Sequence, residues 1–182
     1  DDLEYGPIVG AHFVSSISEI TSTGHILIPD GVTEICIKVV GGGGGGGSGG
    51  ISGDVGAGGG SGAYGEIYLD STTIGSNSHI NISIGSGGAG GTGTNDGSDA
   101  SDTTINFSNG SIASEQICNI DGGYGGDHGD NYGRGGIGGI HTSSNSTISK
   151  GKGFILPGET GEGGRDYGSS NENYTAGNGG SS

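Results

Sequence analysis

Apolar residues along this chain alternate with polar residues in short runs, and this pattern predicts β-strands. The clearest runs place Ile35, Ile37 and Val39 at every second position, and then Ile80, Ile82 and Ile84. Successive side chains of a strand point to opposite faces, so each run is predicted to face a core. The residues between them, such as Cys36, Lys38 and His79, are predicted to lie on the opposite face.

Six strands are predicted in this way, at residues 25–28, 33–40, 63–69, 78–84, 103–107 and 111–120. Pro29-Asp30-Gly31 and Asn109-Gly110 predict turns, because proline fixes φ and glycine tolerates positive φ. We therefore expect one hairpin from the first two strands and another from the last two. Isoleucine outnumbers leucine 21 to 4, and no run has the 3.6-residue period of a helix. The expected class is all-β, with a β-sandwich or jelly-roll-like fold.

Glycine recurs at every third position from Gly41 to Gly65, which is the repeat of a three-residue helix. Collagen shares this period but requires abundant proline, and this stretch has none. A polyglycine II helix rises about 3.1 Å per residue and has no internal hydrogen bonds, so its amides must pair with neighbouring segments. The alternative is a flexible glycine and serine tether.

Shorter runs with the same spacing suggest several polyglycine II segments that pack side by side. The runs are Gly85, Gly88 and Gly91; Gly87, Gly90 and Gly93; Gly123, Gly126 and Gly129; Gly133, Gly136 and Gly139; and Gly158, Gly161 and Gly164. A tether has no reason to keep a three-residue phase over 25 residues, so ordered packing of the glycine-rich loops is the favoured interpretation.

Three sequence blocks carry a resemblance to a known family. Residues 28–40 run directly into seven glycines, residues 62–67 read Gly-Ala-Tyr-Gly-Glu-Ile, and residues 80–91 are a strand that ends in glycines. Over about residues 25–93 this order resembles the glycine-rich domain of phage tail-fibre tips and other surface appendages. The resemblance implies an extracellular or virion-surface β-domain with packed glycine-rich loops, which sometimes bear receptor-binding tips. It implies no catalytic residues.

The first 24 residues precede that domain, so the chain divides into an extension, residues 1–24, and a glycine-rich β-domain, residues 25–182. Every second residue from 9 to 17 would lie on one face of a strand, namely Val9, Ala11, Phe13, Ser15 and Ile17. Such a terminal strand could complete its own domain or add to the sheet of a neighbouring copy. Head-to-tail addition between copies is open-ended and builds filaments. Disorder is the third alternative.

The charge of the chain limits its partners. Twenty acidic and five basic side chains give a net charge of −15, which disfavours nucleic acid and anionic membranes. Asp96, Asp99 and Asp102 form an acidic loop that offers hard oxygen ligands for calcium, although their spacing does not fit an EF-hand. No other cofactor is expected.

Two cysteines and five glycosylation sequons are relevant to whether the protein is extracellular. Cys36 and Cys118 lie in different predicted strands and could form one disulfide, or serve as small buried residues. The Asn-x-Ser/Thr sequons are at Asn81, Asn106, Asn109, Asn145 and Asn173. They are glycosylation candidates only if the source glycosylates secreted proteins.

Tyrosines in the glycine-rich tail are the remaining candidates for binding: Tyr124, Tyr132, Tyr167 and Tyr174. Each could contact a cell-surface receptor or glycan, or could simply cover a glycine seam. No nucleophile or phosphate-loop motif is present, so we do not expect an enzyme. We expect a structural subunit of an extracellular filament or virion appendage that self-assembles through its N-terminal strand. The alternative is a receptor-binding adhesin at a fibre tip.

Overall fold

Two antiparallel β-sheets form the framework of the domain, and the all-β prediction is confirmed. The computed structural model describes residues 18–49, 55–108, 113–129 and 146–164. The strands are β1 (Gly24–Leu27), β2 (Glu34–Val40), β3 (Tyr64–Asp70), β4 (His79–Ser83), β5 (Thr103–Ser108), β6 (Ala113–Ile120), β7 (Thr147–Ile148) and β8 (Lys152–Leu156), with one helical turn, α1 (Ser71–Ile74), after β3. Within these ranges, no helix has the length and hydropathy to cross a membrane.

Sheet 1 has the strand order β1-β4-β5-β6-β7, and sheet 2 has the order β2-β3-β8. Both sheets contribute to one hydrophobic core. Its most deeply buried side chains are Ile67 and Leu69 of sheet 2 and Ile105, Phe107, Ile117, Cys118 and Ile120 of sheet 1. Of the inward positions predicted from the alternating pattern, Val39 and Ile80 belong to this core, and Ile35, Ile37 and Ile82 pack against it. Ile84 lies beyond the end of β4 and is only half-buried. The face-to-face sandwich and the jelly-roll order stay predictions.

The first predicted hairpin is wrong and the second is confirmed. β5 and β6 pair with each other, whereas β1 pairs with β4 and β2 pairs with β3. The predicted turn does form: Val32 N donates to Pro29 O at 3.3 Å, and Gly31 has φ +83°. However, Ile28 N donates to Ser78 O at 2.7 Å, which holds the start of the connection on sheet 1. Residues 28–33 are long enough to cross the roughly 10 Å between packed sheets.

Three elements were not predicted from the sequence: α1, the two-residue strand β7 and β8. α1 is a single turn, and Asp70 caps it by accepting a hydrogen bond from Thr73 N at 2.8 Å. β8 contains the short apolar run 154–156, which the alternating pattern does not predict as a strand, and it pairs with β3 along five residues.

Six extended glycine-rich segments continue from six of the strands. We label them g1 (residues 41–48, after β2), g2 (55–63, before β3), g3 (84–91, after β4), g4 (95–102, before β5), g5 (121–129, after β6) and g6 (157–164, after β8). All six therefore leave the sheets at the same end. They form one hydrogen-bonded block, called here the polyglycine block.

Hydrogen bonds between neighbouring segments continue those between the strands, but they recur at a different residue interval. Val40 is opposite Tyr64 at the end of β2 and β3, and in the next residues Gly41 N donates to Ala63 O at 2.8 Å. The same two segments bond again at Gly44 N to Gly60 O, three residues further on. Hydrogen bonds to a given neighbour thus repeat every three residues, as a polyglycine II helix requires.

The polyglycine block also joins the two sheets through backbone hydrogen bonds. Segment g1, which extends sheet 2, accepts from g3 and g5, which extend sheet 1: Gly88 N donates to Gly43 O at 2.9 Å, and Gly123 N to Gly42 O at 2.8 Å. Sheets separated by side chains lie about 10 Å apart, too far for such bonds. Glycine permits the approach, since a Cβ on Gly45 would come 1.9 Å from Ala89 O.

Most of the glycines that repeat at every third position in the sequence lie where two segments of the polyglycine block touch. In most of these runs a Cβ on the glycine would come within 2.6 Å of a neighbouring backbone: Gly41, Gly44 and Gly47 against g5, Gly85, Gly88 and Gly91 against g4, and Gly123, Gly126, Gly158, Gly161 and Gly164 against g2. The prediction is wrong for the run Gly87, Gly90 and Gly93, where a Cβ would have no atom closer than 3.5 Å. That run is offset by one residue from the glycines of g3 that face g4. Gly133, Gly136 and Gly139 lie outside the described residues. Ordered packing, rather than a tether, is therefore what the described segments show.

Candidate functional site

Three aspartates of g4 form a regular ladder along g5. The two segments are antiparallel, and each carboxylate accepts a hydrogen bond from a backbone N–H of g5. Asp102 accepts from Gly122 N at 3.3 Å, Asp99 from Gly125 N at 2.8 Å, and Asp96 from His128 N at 2.7 Å. Because both segments repeat every three residues, each carboxylate meets the amide one turn further along. We call these three side chains the aspartate ladder.

Asp96 ends the ladder with a second contact to His128. The Asp96 Oδ1 atom lies 2.6 Å from His128 Nδ1, and both side chains are partly exposed. These contacts lower the pKa of the Asp96 carboxyl, with the backbone N–H of His128 as the larger cause and its imidazole as the next. The carboxylate is therefore held in its ionised form.

The ladder bears directly on the candidate calcium site at Asp96, Asp99 and Asp102. One turn of a three-residue helix rises about 9 Å, whereas calcium binds oxygen at about 2.3–2.6 Å. The second oxygen of Asp102 also accepts from Asn119 Nδ2 at 2.9 Å. Across the described ranges, no group of three or more His, Cys, Asp or Glu side chains could hold a metal ion. The geometry thus distributes the three carboxylates along g5 and does not bring them to one point.

Tyr124 is the one candidate binding tyrosine within the described residues. It lies half-buried in g5, and its carbonyl oxygen accepts from Gly60 N at 2.9 Å. Other candidate residues lie outside the described ranges: Tyr132, Tyr167 and Tyr174, the sequons Asn109, Asn145 and Asn173, and the assembly positions Val9, Ala11, Phe13, Ser15 and Ile17.

Both cysteines are free thiols, so the structure does not contain the disulfide considered as one alternative. Cys36 is exposed on β2 of sheet 2, whereas Cys118 is fully buried on β6 of sheet 1. Burial raises the pKa of the Cys118 thiol to about 11. The two described sequon residues, Asn81 and Asn106, lie directly opposite each other on β4 and β5, and both are half-buried.

The outer edge of β2 is a surface that can accept another strand. β2 lies at one end of sheet 2 and pairs with β3 alone among the described strands. It has seven residues and is the longest edge strand, compared with four residues in β1, five in β8 and two in β7. An unpaired edge presents a row of backbone donors and acceptors for β-strand addition.

The outer face of sheet 2 carries an arrangement that sequence reasoning missed. At its centre, the Glu66 carboxylate accepts hydrogen bonds from both flanking tyrosines, from Tyr64 Oη at 3.0 Å and from Tyr68 Oη. Its side chain is only 15% exposed, and Lys38 Nζ lies 3.9 Å away. The Tyr68 bond is the larger cause of a lowered Glu66 pKa, and the same bond raises the pKa of Tyr68 to about 12.

Exposed apolar side chains surround this carboxylate. Phe154 lies opposite Glu66 on β8, and its ring centroid is 6.2 Å from that of Tyr64. Of the five large hydrophobic side chains that are exposed within the described ranges, four lie on sheet 2: Val40, Tyr68, Phe154 and Leu156. The alternation of β3 did predict that Tyr64 and Tyr68 face away from the core, but β8 was needed to complete the surface. We call this surface the aromatic face.

Comparison with known proteins places the chain in a family without assigning it an activity. No curated protein and no solved structure gives a significant match. The family model of the glycine-rich domain matches residues 19–182, which include every strand and every segment of the polyglycine block. The start of the match falls five residues before β1. On this match, the chain belongs to the glycine-rich domain family.

Proposed function

We propose that this domain is a structural subunit of an extracellular filament or virion appendage. In this proposal the N-terminal strand of one copy adds to the open edge of β2 in the next copy. The observation that carries the proposal is the seven-residue edge of β2, which has no partner strand among the described residues. The alternating stretch from Val9 to Ile17 is long enough to pair along all of β2.

The open direction of strand addition, the polyglycine block and the net charge of the chain are each compatible with assembly. Strand addition between different surfaces is heterologous, so it continues from copy to copy and yields a fibre. The polyglycine block gives each copy a body held by backbone hydrogen bonds at the end of the sheets where all six segments leave. A net charge of −15 keeps single copies soluble and disfavours nucleic acid as a partner.

The experiment compares the full chain with a chain that lacks residues 1–17, by negative-stain electron microscopy at matched concentration. This truncation leaves β1 intact, and also Thr23, whose Oγ1 accepts from Ile84 N at 3.1 Å. We expect filaments from the full chain only. Filaments from both chains, or from neither, would contradict strand addition by this segment.

Full-length variants sharpen the test. Phe13→Asp places a charge on the predicted inward face of the strand and should abolish filaments, while His12→Asp on the opposite face should leave them intact. A synthetic peptide of residues 8–18 should bind the truncated chain and compete with assembly of the full chain. Equal effects of the two substitutions would contradict the proposed pairing.

A receptor-binding adhesin at a fibre tip is the second candidate, and one observation favours it. All six segments of the polyglycine block project from the same end of the sheets, and g3 and g4 are joined by a short turn in which Gly93 has φ +68°. Loops at this end would be displayed away from the sheets, with Tyr124 in g5. An adhesin should bind target cells equally well without residues 1–17, and Tyr124→Ala should weaken that binding.

A further inference from the structure

The aromatic face of sheet 2 is organised before any ligand arrives. Tyr64 and Tyr68 are fixed because both hydroxyls donate to the same carboxylate, that of Glu66. Tyr68 remains 51% exposed and Phe154 46% exposed, so the rings are held in position yet present apolar surface to solvent. Rings that are already ordered lose little conformational entropy on binding, which favours recognition.

The size of this face argues against a second copy of the chain as its occupant. Sheet 2 has three described strands, which lie about 5 Å apart, and β8 has five residues. The three strands place eleven residues on this face, whereas a standard interface uses about 20–30 residues on each partner. It matches a compact ligand better than another protein domain.

The polar groups of the face indicate what kind of ligand it takes. Glu66 supplies an acceptor, while Lys38 and Lys152 supply donors from the neighbouring strands, opposite Glu66 and Tyr68 respectively. Mixed donors and acceptors beside exposed rings suit a molecule with many hydroxyls and apolar C–H faces. The two lysines share this face with three carboxylates, those of Glu66 and of the paired Glu34 and Asp70, so the local charges nearly balance and favour a neutral ligand.

We propose that the aromatic face binds a neutral sugar, with a pyranose ring packed on Tyr68 and Phe154 and its hydroxyls bonded to Glu66 and the two lysines. This inference does not rest on strand addition, because the edge of β2 and the outer face of sheet 2 are different surfaces. It also differs from the adhesin candidate, which places contacts in the polyglycine block.

The test is native electrophoresis of the full chain through gels that each contain one neutral polysaccharide: dextran, mannan, xylan or glucomannan. We expect at least one of them to retard the wild type. Tyr68→Ala and Phe154→Ala should each weaken that binding about tenfold, and Tyr68→Phe should weaken it less, because the ring remains although its hydrogen bond to Glu66 is lost. Leu27→Ala is the matched control, since it removes a side chain that is 60% exposed on β1 of sheet 1.

Three outcomes would overturn the inference. They are no retardation by any of the four polysaccharides, equal retardation of all variants, or a smaller assembly size of Tyr68→Ala and Phe154→Ala in size-exclusion chromatography. The last outcome would make the face a contact between copies. If an alanine variant does not fold, the binding site is mapped instead by ¹⁵N NMR of the wild type, titrated with oligosaccharides of the polymer that retards it. Amide shifts must then centre on Tyr68 and Phe154, and shifts elsewhere would overturn the inference.

Discussion

Gly44 lies directly against the backbone of Tyr124, and a Cβ on residue 44 would come 2.1 Å from the Tyr124 carbonyl oxygen. Gly43, one residue earlier on the same segment, has room for a Cβ: the nearest atom would be Gly60 O at 3.8 Å, an ordinary van der Waals distance. One glycine is thus required by packing and its neighbour is not. This difference within g1 makes a matched pair of substitutions informative.

We predict that Gly44→Ala destabilises the domain by about 3 kcal/mol or more, because the clash is with backbone that other segments hold in place. Gly43→Ala should change the free energy of unfolding by less than about 1 kcal/mol, since alanine also restricts the unfolded chain. Urea denaturation of both variants measures the difference. Equal stabilities would show that g1 and g5 do not pack as described.

The two thiols should differ sharply in reactivity. Cys118 is fully buried with its pKa raised to about 11, so about one in a thousand molecules carries its thiolate at pH 8, and Cys36 is exposed. We predict that Ellman's reagent titrates one thiol in the native chain and two in urea without reductant. Cys36→Ser should remove the native reaction. A chain that shows no thiol under either condition would contain the disulfide instead.

Tyr68 should ionise only at strongly alkaline pH. Its folded-state pKa of about 12 lies above the usual value of about 10, because the neutral hydroxyl donates to Glu66. The stabilisation from this bond is therefore fully present below pH 10 and is lost as the pH rises through about 12. Absorbance at 295 nm should show the late titration, and Glu66→Gln should move it toward pH 10. Glu34→Gln, on the same face of sheet 2 but on β2, is the control.

Asp96 should stabilise the end of the block in a manner that depends on pH. Its pKa is lowered in the folded state, so its contribution is present above the ordinary value of about 3.9 and is lost as the pH falls through the lowered folded-state pKa. We predict that Asp96→Ala is less stable than the wild type at pH 7 and that the difference disappears in acid. Thermal unfolding across pH 2–7 provides the measurement.

Asp127→Ala is the control for this prediction. Asp127 is exposed and adjacent to His128, and its backbone oxygen accepts from Ala57 N, which the substitution preserves. A loss of stability at pH 7 as large as that of Asp96→Ala would show that net charge, rather than the ladder, is responsible.

Local patterns were sufficient to predict most elements but not their partners. The alternation of Ile80 and Ile82 predicted β4, and the three-residue phase of glycine predicted most of the positions at which segments pack. The pairing of β1 with β4 was missed because a turn sequence at Pro29 is compatible with either a hairpin or a crossing between sheets. That choice is made by burial of Ile28 in the shared core, which depends on residues distant in sequence.

The candidate sites were predicted less well for a related reason. Asp96, Asp99 and Asp102 suggested a cation site because their residue types fit one, but their partners are amides 20 to 32 residues away. The aromatic face required β8 to lie beside β3, a pairing across more than 80 residues that the sequence pattern does not encode locally.

In the polyglycine block, the residues that stabilise the fold are different from the residues that are exposed to solvent. Its interior is made of backbone and a few buried side chains of g2 such as Ala57 and Ser61, with glycine at most positions where two backbones touch. Its outward positions carry small or polar residues such as Ser86, Ala89 and Ser98. Substitutions at those outward positions leave the interior contacts unchanged. Many of these residues could therefore be replaced one after another while every intermediate variant still folds. The surface of this part of the domain can diversify in evolution as long as the glycines at the segment contacts are retained.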